Sequence, residues 1–207
     1  MPIVTVSRQY GSGGSEVAER VANALGWKLY DNAVVEEVAA RLRLTPAEVS
    51  AREERVPSLV ERMASAMALG VPEVMPVVGD MAAVPSEERM VMVTKRVIED
   101  AVDAGPAVLV GRGAQCMLAR RSDALHVYCY APEEDLIRYV IENLGIPAAE
   151  APKKVADMNH QREAYVRLHW KRNWRDVGNY DLCVNTATLG LDGAAKLVTE
   201  VARERFG

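Results

Sequence analysis

The chain has 207 residues, enough for one compact α/β domain that would bury roughly 70% of its unfolded surface with no staple. Its net charge of −4 argues against non-specific nucleic-acid binding, and no run approaches the apolar length of a membrane span. Cys116, Cys129 and Cys183 are odd in number and set in apolar runs, which reads as buried thiols in a reducing compartment rather than as a disulfide framework or a zinc site. A cytoplasmic protein with no membrane partner is expected.

Ile3-Val4-Thr5-Val6 is a short β-branched run, read as a buried strand. Ser7 to Ser15 is a turn holding Gly11, Gly13 and Gly14, and Glu16 to Leu25 has a helical pattern closed by Gly26. Trp27 to Tyr30 reads as a second strand, and Asp31 as the start of another helix. Strand, glycine loop, helix and strand make a nucleotide-binding unit, because unpaired amides at a helix start and the positive end of its dipole seat a phosphate.

Residues 32–42 are amphipathic, Thr45-Pro46-Ala47-Glu48 has the form of a helix start, and 53–70 keep a helical pattern. Over Val71 to Pro85 the periodicity fails and methionines cluster, which suits either a repacking flap or gap-filling in a helical layer. Ser86 caps a helix running to about Ala104, ended by Gly105-Pro106. Ala107 to Val110 is a continuous apolar run, hence a central strand, and it ends in Gly111-Arg112-Gly113. Leu125 to Tyr130 is the next strand, and Ala131 to Asp135 opens a helix with acids at its positive end. Lys153 to Arg175 is basic, Asn179 to Asn185 reads as a last strand, and Leu191 to Phe206 as a last helix. Five strands, about 3–7, 27–30, 107–111, 125–130 and 180–185, alternating with helices predict an α/β three-layer sandwich around a parallel sheet, with ligands beyond its carboxyl ends.

Two loop types compete for the glycines. A dinucleotide fingerprint is partly met by Gly11, Gly13 and Asp31, but Glu16 stands where it wants a third glycine. The phosphate-cradling loop of nucleotide kinases wants a glycine, four residues, Gly-Lys and Ser/Thr; Gly13 and Ser15 fit, while Gly14 replaces the lysine and Arg8 the first glycine.

Ser7 to Ser15, Leu25-Gly26, Tyr30-Asp31, Val110 to Ala114, Asn179 to Leu182 and Asn185-Thr186, taken together and in this order, resemble the cytidylate kinase-like family. The resemblance implies a single P-loop kinase-like domain over 1–207, with a helical acceptor-binding region at about 32–104 and a lid-like region at about 147–175. It implies ATP, Mg²⁺ and phosphoryl transfer to a small acceptor such as the pyrimidine nucleoside monophosphate CMP, in a monomer or homodimer. The alternatives are a nucleotide-binding regulator without catalysis and a kinase of a non-nucleotide small molecule. By position, Gly11, Ser12, Gly13, Gly14, Ser15 and Glu16 would hold the ATP phosphates, with the Ser15 hydroxyl on Mg²⁺. Asp31, Arg112 and Arg138 would bind the acceptor, and Arg162 and Arg167, where the lid-like helix is read to begin, would stabilise the transferring phosphoryl group. Arg8 is the candidate substitute for the missing lysine. The pattern departs from related kinases at Gly113 and Asn159, where an aspartate is expected.

Overall fold

The computed structural model describes residues 1–31, 38–42, 44, 45, 47 and 87–207. The cap expected at Ser86, the Met-rich stretch of 71–85 and most of the helical region expected over 32–70 lie outside the described residues.

Five strands form one parallel sheet in the order β2-β3-β1-β4-β5: β1 Ile3–Arg8, β2 Lys28–Tyr30, β3 Ala107–Val110, β4 Ala124–Tyr130 and β5 Leu182–Asn185. β1 lies in the middle, and Ile3, Val4 and Val6 are fully buried, because helices cover both faces and the strand needs no polar alternation. On one face lie α1, Gly14–Leu25, and α6, Thr186–Phe206, which pack Val17, Val21, Ala194 and Val198 onto Val108 and Val127. The other face is covered by α2, Glu87–Ala104, whose Val97 and Ile98 meet Ile3 and Leu109 together with Val38 and Leu42. The short α3, Ala114–Met117, follows β3, while α4, Glu133–Leu144, and α5, Ala151–Trp170, follow β4. No described helix is long and apolar enough to cross a membrane.

The strand order decides where a ligand can sit. β1 pairs with β3 on one side and β4 on the other, so the connections leaving the carboxyl ends diverge and open a crevice there. Arg8, Asp31 and the segment 111–113 all lie at that edge, each just at or beyond a strand's end.

Among the boundaries that differ from the sequence reading, three have a visible cause in their contacts. β2 starts at Lys28 because the Trp27 amide closes the end of α1 onto the Ala22 carbonyl at 2.9 Å, and its ring packs 6.0 Å from that of Phe206. β5 starts at Leu182 because Val177–Asn179 is a 3-10 turn that takes the Tyr180 amide. α6 starts at Thr186, capped by the Asn185 side chain, and is broken at Gly190 before it reaches Leu191.

The cysteines are unpaired, with Cys116 and Cys129 buried. Burial pushes the Cys129 thiol up to about 12 and the Cys116 thiol up to about 11, so both stay protonated at neutral pH. Both are expected to resist a disulfide reagent at pH 8 in the native protein and to react on unfolding; rapid labelling of either in the native state, located by peptide mapping, would contradict this packing.

Candidate active site

The glycine loop joins β1 to α1. Gly11 and Gly13 take left-handed conformations, with φ 86° and 65°. The Gly13 carbonyl accepts the first helical bond, from Val17. No side chain caps the helix, so the amides of Gly14, Ser15 and Glu16 have no acceptor among the described residues and stand at the positive end of α1. That geometry suits a phosphate group.

The loop is held from behind. The Gln9 amide donates to the Cys129 carbonyl at 3.0 Å, and the Gln9 side chain accepts from the Ala131 amide at 3.0 Å. The Ser12 hydroxyl donates to the Gln9 carbonyl at 2.8 Å, which places that side chain inside the loop. A Cβ on Gly11 would lie 2.5 Å from the Leu136 carbonyl oxygen, and one on Gly13 would lie 2.5 Å from Leu191 Cδ2. The Glu16 carboxylate accepts the Tyr139 hydroxyl, so at this position the backbone amide is what remains to face an anion.

Asn159, buried on α5, accepts the Tyr10 amide at 2.7 Å and ties the loop to that helix. An aspartate was the expected residue here; the amide performs the same anchoring without placing a negative charge beside the loop. Asn159→Ala would leave the Tyr10 amide without its acceptor and should cost about 1–2 kcal/mol, read by denaturant titration.

Beside the loop lies a cavity of about 140 Å³, lined by Arg8, Arg112, Arg162, Gln161, Tyr165 and Trp174 among others. The three arginines arrive from β1, from the segment after β3, and from the middle of α5. Arg162 donates to the Arg8 carbonyl at 2.6 Å, and its guanidinium lies 5.7 Å from the centre of the Tyr10 ring. Arg8 reaches Asp31 at 3.4 Å. Burial pulls the Arg112 guanidinium down to about 10, with Tyr165 opposing and Arg8 adding to the fall, so it remains charged at neutral pH. Three guanidinium groups lining one cavity, with Asp31 beside Arg8, suit it to an anion.

Arg112 has φ 54°, between Gly111 at 72° and Gly113 at 71°. A left-handed arginine costs on the order of 1–2 kcal/mol, and such strain concentrates at functional positions. Arg112→Gly relieves this strain but also removes the side chain's contacts, and is expected to weaken binding of an anionic acceptor, read by calorimetry; unchanged acceptor affinity would remove Arg112 from the site.

The remaining expected residues fall elsewhere. Arg138 lies exposed on α4, paired with Asp135, and does not line the cavity. Arg167 is exposed on the outer side of α5. α5 begins at Ala151 rather than near Arg162, because Pro152 in its first turn starts the helix. The sequence reading missed Gln161, Tyr165 and Trp174. Met158, Arg162, Tyr165 and Val166 recur at helical spacing, a signal that could have found the α5 wall.

Solved structures with this fold include an uncharacterized protein from Eubacterium ventriosum, 16% identical, covering 98% of this chain and 99% of that one with a TM-score of 0.70. A shikimate kinase from Bacteroides thetaiotaomicron is 11% identical, covering 98% of each chain with a TM-score of 0.53. A gluconokinase from Sinorhizobium meliloti is 13% identical, covering 98% of this chain and 94% of that one with a TM-score of 0.51. These likenesses establish the P-loop kinase fold. Among curated proteins, a uronate isomerase from Corynebacterium glutamicum is 28% identical over 130 residues, 61% of this chain and 25% of that protein, so the match spans about a quarter of the relative. The family model described as "Cytidylate kinase-like family" matches residues 3–188, and with its lysine-less glycine loop and parallel five-stranded sheet this chain belongs to that family.

Proposed function

We propose that the protein transfers the terminal phosphoryl group of ATP to a small anionic acceptor, with a pyrimidine nucleoside monophosphate such as CMP as the first candidate. The observation that carries this reading is the convergence of Arg8, Arg112 and Arg162 on one cavity, with the Arg8 stem against Gly14, where the first amides of α1 have no acceptor among the described residues. The β- and γ-phosphates would lie against the amides of Gly14, Ser15 and Glu16. The Ser15 hydroxyl, half-buried in the first turn of α1, is an oxygen donor of the kind Mg²⁺ takes, and the bound ion would offset charge on the phosphate oxygens.

In the transfer, an acceptor oxygen bonds to the γ-phosphorus as the bond to the β–γ bridging oxygen breaks, leaving ADP. Charge spread over the equatorial oxygens is what the protein must stabilise, and preorganised guanidinium groups do this without rearranging water. Arg112 would grip the acceptor's own anionic group through two nitrogens at once, Arg162 would face the phosphoryl group in flight, and Arg8 would stand between loop and acceptor. Asp31 would keep Arg8 in place and could accept from an acceptor hydroxyl. Residues 32–104 would complete the acceptor pocket, and 147–175, which include α5, would act as the lid of a single domain.

A carboxylate-bearing sugar acid is the second reading. The same guanidinium groups bind a carboxylate as readily as a phosphate, and the curated relative named a uronate isomerase handles such acids. Coupled ADP release with a panel of nucleoside monophosphates and sugar acids separates the two. Turnover with CMP or dCMP supports the first and turnover with a sugar acid alone supports the second, while ATP binding with no turnover on any acceptor would mark a non-catalytic nucleotide-binding protein.

A further inference from the structure

Nucleotide-cradling loops carry their cation on a lysine one residue after the second glycine of the motif, from where it reaches the β- and γ-phosphates. In this chain that position is Gly14, and an arginine, Arg8, stands where the first glycine would be. The structure brings these two exchanged positions into contact. A Cβ on Gly14 would lie 2.4 Å from Arg8 Cβ, 3.0 Å from Arg8 Cγ and 3.1 Å from Cys129 Cβ. The first and last of these atoms are fixed to the backbone of paired strands, since Arg8 of β1 sits in register with Cys129 of β4. Neither can yield without disturbing the sheet. Positions 8 and 14 therefore cannot both carry a side chain.

The Arg8 side chain also passes a second glycine, Gly111, whose φ of 72° favours glycine and where the near atom is the mobile end of the arginine. Its stem lies over Gly14 and its head over Gly111, where a Cβ would lie 2.1 Å from Arg8 Nη1. The side chain thus extends from the glycine loop to the start of the Gly111-Arg112-Gly113 segment, along the wall of the cavity. Asp31 meets one nitrogen at 3.4 Å, and the buried Nε has no partner among the described residues. A cation with a long contact to one carboxylate and an unfilled donor has capacity for another anion.

We propose that Arg8 carries the loop's phosphate-neutralising charge from the opposite side of the phosphate chain, and that Gly14 and Gly111 are the two side-chain-free positions that form its slot. The missing lysine is then a steric consequence of Arg8, and the charge has been moved rather than lost. This deepens the ATP-dependent reading of the same site and rests on it.

The test is a four-member cycle: wild type, Arg8→Gly, Gly14→Lys, and the double variant Arg8→Gly/Gly14→Lys. Mg·ATP affinity is measured by calorimetry, and the melting temperature of each protein is measured without ligand. Arg8→Gly should weaken ATP binding by roughly 10- to 150-fold, the range for one charge-assisted contact, and keep a cooperative melt. Gly14→Lys alone should lower the melting temperature and also weaken ATP. The double variant should melt as Arg8→Gly does and recover ATP affinity to within about fivefold of wild type, because the loop then has the ordinary order of glycine and lysine. The proposal is overturned if Gly14→Lys alone melts and binds as wild type does, or if the double variant binds no better than Arg8→Gly. Wild-type protein that binds no ATP would instead overturn the nucleotide reading itself, and the melting temperatures would still decide whether positions 8 and 14 exclude each other.

Discussion

Arg162→Ala should lower kcat/KM for phosphoryl transfer by about a thousandfold or more, the range measured for arginines that meet a transferring phosphoryl group. The argument rests on position. Arg162 projects from the middle of α5 into the cavity, held there by its bond to the Arg8 carbonyl and by the Tyr10 ring beneath it. Its alignment is therefore set before any ligand arrives, which is the condition under which a charge contributes most to a transition state. The charge-assisted bond to the Arg8 carbonyl contributes about 1.5–3 kcal/mol to stability, less than the roughly 4 kcal/mol that a thousandfold in rate represents. Activity and stability should separate: a cooperative melt lowered by several degrees, with almost no turnover. Arg162→Lys keeps the charge but loses the planar fork, and should restore only a minor part of the rate. Full activity in Arg162→Ala would remove this residue from the reaction.

Gly113→Ala is expected to destabilise the protein by about 3 kcal/mol, from a left-handed backbone at φ 71° and a direct steric conflict. A Cβ there would lie 2.5 to 2.9 Å from three carbons of the Trp170 ring. That ring cannot easily move away, because it packs against Tyr165 at 5.4 Å and His169 at 5.8 Å. For a chain of this size the melting temperature should fall by roughly 6–12 °C. Tyr165 lines the cavity, so the surviving folded protein should also bind acceptor less well. The Trp170 ring thus occupies the space a side chain would need, and packing explains the glycine here. A melting temperature within 2 °C of wild type would show that the contact is not as described.

What was legible in the sequence was whatever is coded locally. The β-branched run of β1, the three glycines after it, and the Gly105-Pro106 punctuation before β3 each fix one element through neighbours in the chain, and each element stands where it was expected. Placing Arg112 at a strand's end followed from the same reading, although its left-handed backbone did not, since a positive φ leaves no mark on an arginine flanked by glycines.

The rest of the site depends on contacts between distant residues. Choosing between Arg162 and Arg167 required knowing which side of α5 faces the crevice, and the charge spread around that helix leaves only a weak apolar stripe. Asn159 reaches across 149 residues to Tyr10, and the Arg8 stem excludes a side chain at Gly14 only because β1, β4 and α1 bring them together. The boundaries of β2 and β5 moved for a comparable reason: amides that look available to a strand are already engaged by the end of α1 and by the 3-10 turn.

The most direct measurement is single-turnover transfer from ATP labelled on its γ-phosphate, with enzyme in excess and CMP or another small anionic acceptor present. The account predicts that label passes to one of these acceptors in the wild type, that transfer is slowed about a thousandfold in Arg162→Ala, and that Arg112→Ala requires much more acceptor for the same rate. Label that stays in ATP or appears only as inorganic phosphate with every acceptor would contradict it.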